Sequence, residues 1–247
     1  MKSNPYHAEI LHLIKKHAGK PTQHTFSDKY LGNTHFRYPI DVPTLRRIGK
    51  DWMRAHPELN AHEIAQLLTS LITSSSATEK TMAGIILDYT TIPQRKFDPA
   101  LFDAWLDHLV GWAEIDALCT GAYTLTEISA AWPRWKKLLR DFSKSNNISK
   151  RRASIVLLVA PLRRCEDPAM IKLALENIDR LKAEKDILIT KAISWVLRSA
   201  IPAQTEVIKK YLNLNQASLP KIAVRETLTK LRTGKKTKSK PAKQKKS

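Results

Sequence analysis

Cysteine, glycine and long apolar runs are scarce in this chain of 247 residues, and each shortage removes a class of protein. The two cysteines, Cys119 and Cys165, lack Cys-x-x-Cys spacing, which argues against a disulfide framework, a four-cysteine zinc site and an iron–sulfur cluster. Both read as reduced core thiols. Seven glycines are too few for a chain built on hairpins or phosphate-binding loops. No apolar stretch reaches the roughly eighteen residues that a membrane span needs. Met1 to His7 lead directly into an amphipathic segment without the apolar core of a secretory signal, so a cytoplasmic protein is expected. Gly-x-x-x-x-Gly-Lys-Ser/Thr, Gly-x-Gly-x-x-Gly, His-Glu-x-x-His and Gly-x-Ser-x-Gly are all missing. P-loop ATPases, dinucleotide-dependent dehydrogenases, zincins and serine hydrolases are thereby set aside. The eight histidines lie between His7 and His108 without helical ligand spacing, His7 and His12 being five apart. They read as surface or boundary residues, and neither a metal nor a cofactor is expected.

What the chain has in excess is positive charge. Its 42 Lys and Arg against 23 Asp and Glu give +19 and a pI near 10.0. Such an excess repels itself unless a polyanion balances it. Seven of the lysines, from Lys235 to Lys246, follow Gly234 in a stretch without acids, and setting them aside still leaves +12 on the rest. Residues 233–247 are expected to form a disordered lysine-rich tail, and residues 1–232 one folded domain. A basic folded body implies a shaped surface, and nucleic acid is the leading partner class. An acidic membrane surface is the competitor, but the basic residues are spread over many segments instead of one amphipathic helix.

Apolar residues recur at three- and four-residue spacing, as in Ile10, Leu11, Ile14 and in Ile64, Leu67, Leu68, Leu71, Ile72. The punctuation predicts roughly a dozen helices. Pro43 starts one that stops before Pro57, and Asn60 caps the next through Ser70. Ser76 or Thr78 opens a helix to Tyr89, Asp98-Pro99 one to Leu109, and Pro133 one ending near Ser143. Ser149 caps a run to Leu162, Asp167-Pro168 opens one to Leu181, a segment from Lys185 ends at Ala200 before Pro202, and the last spans Ser218 to Leu231. Helices of this length joined by short turns suggest an all-α fold, an α-solenoid of HEAT-like antiparallel helix pairs with a concave basic face. A simple helical bundle is the alternative arrangement.

Two tryptophans stand beside charge at helical spacing: Trp112 four residues before Asp116, and Trp195 three before Arg198. A tryptophan at an apolar helical position is usually core, and Trp52, Trp105, Trp132 and Trp135 are read that way. Asp116 interrupts the apolar residues Ile115, Ala117 and Leu118, where burial without a partner is costly. A first-turn charge after Gly111 would be the plain structural reason for it.

The segments Trp112-Ala113-Glu114-Ile115-Asp116, Asn147-Ile148-Ser149-Lys150-Arg151-Arg152-Ala153 and Lys191-Ala192-Ile193-Ser194-Trp195-Val196-Leu197-Arg198 resemble those of the AlkD-like DNA alkylation repair family. So do Tyr30-Leu31-Gly32 and Tyr38-Pro39-Ile40-Asp41-Val42-Pro43-Thr44-Leu45-Arg46. The motifs fall in the family's order and cover about residues 30–231. The resemblance implies HEAT-like helical pairs and a DNA glycosylase acting on alkylated purines. It also implies Asp116 as catalytic aspartate, Trp112 and Trp195 as site tryptophans, Tyr30 as a site tyrosine and Arg152 as a DNA-contacting arginine. Ala113 stands where the family often has an acid, and Ser199-Ala200 replaces a more polar continuation.

The chemistry fits those residue types. A purine alkylated at N3 or N7 carries a positive charge that already weakens its glycosidic bond. Indole faces attract cations by about 0.5 to 2 kcal/mol each, and an ionised Asp116 can stabilise positive charge on the sugar and orient a water. Lys150, Arg151 and Arg152 follow Ser149 at an expected helix start, where backbone N–H groups favour phosphate. Arg46, Arg47 and Arg198 are further phosphate candidates. The expectation is a monomeric, monofunctional glycosylase, nucleoid-associated, releasing positively charged N3- and N7-alkylpurines from duplex DNA. A non-catalytic reader of DNA shape or junctions and a HEAT-type protein scaffold are its rivals.

Overall fold

The structure, a computed structural model, describes residues 4–19, 32 and 34–236. Among them twelve α-helices and two 3₁₀ turns follow one another, with a single isolated β-bridge between Phe36 and Ser76. The helices are α1 (Pro5–His17), α2 (Val42–Ala55), α3 (Ala61–Ile72), α4 (Ala77–Tyr89), α5 (Leu101–Leu106) and α6 (Gly111–Cys119). After them come α7 (Ala122–Ala130), α8 (Trp132–Phe142), α9 (Ile148–Val156), α10 (Pro168–Leu181), α11 (Ile187–Asn215) and α12 (Lys221–Thr233). The 3₁₀ turns are Pro93–Arg95 and Pro161–Arg163. No helix among the described residues is long and apolar enough to cross a membrane.

Local chemistry sets most of the helix starts. Asp41 accepts the Thr44 N–H at 2.8 Å, and Ser76 accepts those of Thr78 and Glu79. Asn60 and Glu63 form a reciprocal capping box, which satisfies two of the donors that a helix start leaves open. Pro43 and Pro168 occupy first-turn positions, where a missing N–H costs nothing. Several boundaries differ from the sequence reading, among them the helix expected from Asp98-Pro99 to Leu109, which spans only Leu101–Leu106. The cap of α9 is Asn147, whose side chain accepts the Ser149 N–H at 2.8 Å. Ser149 instead donates its buried hydroxyl to the Leu109 carbonyl. That run also ends at Val156 and tightens into the 3₁₀ turn at Pro161. In α11 the helix passes Pro202 and bends at Gln204, where φ −136° and ψ 38° absorb the break that proline imposes.

The helices stack in two layers. In the inner layer α2 packs on α4, α4 on α6, α6 on α9, α9 on α11, and α11 on α12. In the outer layer α1 contacts α3 and α8 contacts α10, each outer helix leaning on an inner neighbour, as α3 does on α4 and α8 on α9. This is the α-solenoid arrangement. The interlayer space holds Phe102, Trp105 and Trp135, with ring centroids of Phe102 and Trp135 5.0 Å apart. Gly84 lets α4 touch α6 closely: a Cβ there would lie 2.1 Å from the Ala117 carbonyl oxygen.

Candidate nucleic-acid active site

Helix α6 begins at Gly111, whose φ of 73° is the left-handed conformation that glycine adopts without a Cβ penalty. The acid serving its first turn is Glu114, fully buried, with Oε2 accepting the Val110 N–H at 2.9 Å and Oε1 2.9 Å from His35 Nδ1. Asp116 therefore does not have the first-turn role that would explain it locally. It sits two residues further along the helix and faces α9.

There it meets Arg152. Arg152 Nε donates to Asp116 Oδ1 at 3.0 Å and Nη2 to Oδ2 at 2.8 Å, a bidentate pair, while Nη1 donates to the Leu188 carbonyl oxygen at the start of α11. The arginine side chain is 4% exposed and the aspartate 15%. Burial raises the Asp116 pKa above the ordinary aspartate value, with the charge and hydrogen bonds of Arg152 acting in the opposite direction. Behind it the buried Cys119 thiol is pushed up strongly by burial and then by Asp116, so it stays protonated. Cys165 is half-buried.

Trp112, Asp116, Arg152, Trp195 and Arg198 line one cavity of about 400 Å³ at the junction of α6, α9, α11 and α12. The indoles of Trp112 and Trp195 are partly exposed. Trp112 and Asp116 also line a larger space of about 970 Å³ toward α2 and α4. The wall includes residues the sequence reading did not single out: Leu188, Lys191, Glu226 and Lys236. Glu226 holds the far side, accepting from Ser194 Oγ at 2.7 Å and lying 3.4 Å from Arg198 Nε. Nothing in the local sequence marks Glu226, since it reaches the cavity from the next helix.

The basic residues fall out differently from their sequence pattern. Arg152 is not an exposed cation at a helix start; it is buried beneath the carboxylate because its position on α9 turns it toward α6 and α11. Lys150 turns the other way, to Asp103 at 2.8 Å and Asp107 at 3.0 Å. Burial opposes its charge, but hydrogen bonds to these two acids outweigh it and raise its pKa. Arg151 pairs with Glu184 at 2.8 Å and caps the carbonyls of Ser145 and Asn146. Lys150 and Arg151 are thus engaged in ion pairs around the α9 start and line neither of these cavities. Arg46 is exposed and faces Asp88 at 3.5 Å, and Arg47 is exposed on the same helix. Tyr30 and the tail beyond Lys236 lie outside the described residues.

The profile of a family described as DNA alkylation repair enzyme matches residues 13–231. Among solved structures the chain is similar to one entitled "Predicted DNA alkylation repair enzyme from Enterococcus faecalis", with a TM-score of 0.64 and 14% identity, over 94% of this chain and 98% of that one. At that identity the likeness shows the fold. No curated protein sequence matches.

Proposed function

We propose, for a chain that belongs to the DNA alkylation repair enzyme family, a monofunctional DNA glycosylase that releases positively charged N3- and N7-alkylpurines and leaves an abasic site. The observation that carries this reading is the convergence of two part-exposed indoles and a carboxylate, from helices far apart in sequence, on one cavity. Trp112 and Trp195 offer π faces to a cationic base and less to a neutral one. As the bond between the base nitrogen and C1′ breaks, its electron pair leaves with the base, which becomes neutral, and positive charge develops on the sugar. Asp116 stabilises that charge and orients a water toward C1′. A carboxylate has about four lone-pair directions, so the two bonds from Arg152 leave acceptor capacity on Asp116. Arg152 is then a positioning residue, fixing the carboxylate and favouring its ionised form. Lys191 and Lys236 also line this cavity, and the monofunctional reading gives neither a Schiff-base role.

The bidentate pair also favours a second reading, in which Asp116 is purely an anchor between α6 and α9 and the cavity binds DNA without chemistry. Release of 7-methylguanine from methylated duplex DNA separates the two. Asp116→Asn is expected to lower the single-turnover rate by about 10²–10³-fold while leaving DNA affinity near wild type. Equal release by the variant and the wild type would exclude the catalytic role.

A further inference from the structure

A second cavity, of about 350 Å³, adjoins the first, with Trp195 in the wall of both. Around it stand Arg46 from α2, Arg163 at the end of the 3₁₀ turn after α9 and Arg164 next to it, and the start of α7 at Gly121 and Ala122. The acid of this cavity, Asp88, is engaged: Oδ1 accepts the Ala122 N–H at 2.9 Å and Oδ2 is 3.5 Å from Arg46 Nη1. Gly121 permits that approach, since a Cβ there would lie 1.8 Å from Asp88 Oδ1. Arg163 and Arg164 are exposed, and among the described residues neither guanidinium has a hydrogen bond or ion pair.

The positive charge continues between the two cavities. Lys230 on α12 has its pKa held below the ordinary lysine value by burial and then by the neighbouring charges of Arg198 and Arg163. Arg198, at the first cavity, and Arg163, at the second, are therefore linked through Lys230 by mutual repulsion. Among the described residues Lys230 and Arg163 have no carboxylate at ion-pair distance, and Glu226 is shared by Ser194, Arg198 and Lys236. Unbalanced like charges oppose folding, and an anion laid across them relieves that cost.

We propose that Arg163 and Arg164, with Arg46 across the cavity, clamp backbone phosphates of the DNA strand beside the nucleotide held at Trp112, Asp116 and Trp195. The inference rests on the DNA reading of that site and adds the residues that hold the strand in register. Guanidinium forks match phosphodiester oxygens in bidentate fashion, and a shared indole wall sets the clamped phosphate next to the base site. None of the three arginines participates in the chemistry.

The test uses the full chain and a duplex carrying a 2′-fluoro-7-methylguanine nucleotide, which resists excision. Binding is titrated against salt for the wild type, for Arg163→Ala/Arg164→Ala, and for Lys209→Ala/Lys210→Ala, exposed residues away from these cavities. Each phosphate contact contributes about 0.9 to the slope of log K against log salt, so the arginine variant is expected to lose about two from it. The lysine variant is expected to stay near wild type. A single methylphosphonate beside the lesion should weaken wild-type binding and leave the arginine variant unaffected at the clamped position. A wild-type slope in the arginine variant, an equal loss in the lysine variant, or methylphosphonate losses identical in both proteins overturns the clamp. So does a wild type that fails to bind duplex DNA, which sinks the glycosylase reading with it. A wild type that excises no 7-methylguanine but loses slope on removal of the arginines supports the clamp and rejects the glycosylase reading alone.

Discussion

Between the layers Trp105 and Trp135 are sealed among Phe102, Tyr123 and the helices around them, whereas Trp112 and Trp195 on the inner layer keep part of each indole open to a cavity. On α8, the outer face pairs Lys137 with Asp141 one turn along. Across the inner layer, Arg163, Arg164 and Lys230 stand without carboxylate partners among the described residues. Trp105 and Trp135 are therefore packing, whereas Trp112 and Trp195 are surface held ready for contact. The lesson is that residue type alone does not separate the two uses, nor does the helix layer, since Trp52 on the inner helix α2 is buried core; the direction each side chain takes from its helix does.

Substitution in each pair measures how far that division holds. Trp135→Ala is expected to have the largest effect on folding, about 3–5 kcal/mol from lost burial and the cavity left behind, read as a drop in the denaturant midpoint. Trp195→Ala should cost much less stability. Its effect should appear instead in selectivity: the preference for 7-methylguanine over unmodified guanine falls by about 2- to 30-fold, the equivalent of 0.5 to 2 kcal/mol of cation–π attraction. Similar destabilisation by both alanines, with unchanged selectivity, would erase the distinction between the pairs.

The smallest effect expected is on pH dependence. Burial raises the folded pKa of Asp116 above the ordinary aspartate value. Activity that needs the carboxylate is then present above that raised pKa and lost as pH falls through it. The acid limb of single-turnover release should accordingly lie above the pH at which an exposed aspartate titrates, and it should vanish from the residual rate of Asp116→Asn. For stability the sign is opposite. Between the ordinary and the raised pKa the folded chain binds more protons at Asp116 than the unfolded chain, so this group's contribution declines as pH rises through that window.

Much of the fold was legible because it is written in short-range chemistry. Asp41, Asn60, Ser76 and Asp167 each accept backbone N–H groups within three residues, and proline at a first turn announces itself in one position. Where the expected cap failed, a tertiary contact accounts for it. Ser149, read as the cap of α9, gives its hydroxyl to the Leu109 carbonyl 40 residues upstream, and Asn147 caps the helix instead. Gln204 shows a related limit: a proline break was visible, but resumption of the helix beyond it depends on packing against α12.

The site divides along the same line. Composition and spacing alone determined that the chain is helical, strongly basic, and carries an aspartate one turn from a tryptophan on a single helix, since each follows from residues within a turn or two of one another. Only the tertiary structure decided that Arg152 lies beneath Asp116 while its neighbours Lys150 and Arg151 turn to Asp103, Asp107 and Glu184. Three consecutive side chains on a helix point about 100° apart, and which direction meets a carboxylate depends on segments 33 to 47 residues distant, from Arg151–Glu184 to Lys150–Asp103. The same packing of α6, α9, α11 and α12 brought Trp195 and Glu226 to the cavity wall, a meeting that no local pattern encodes.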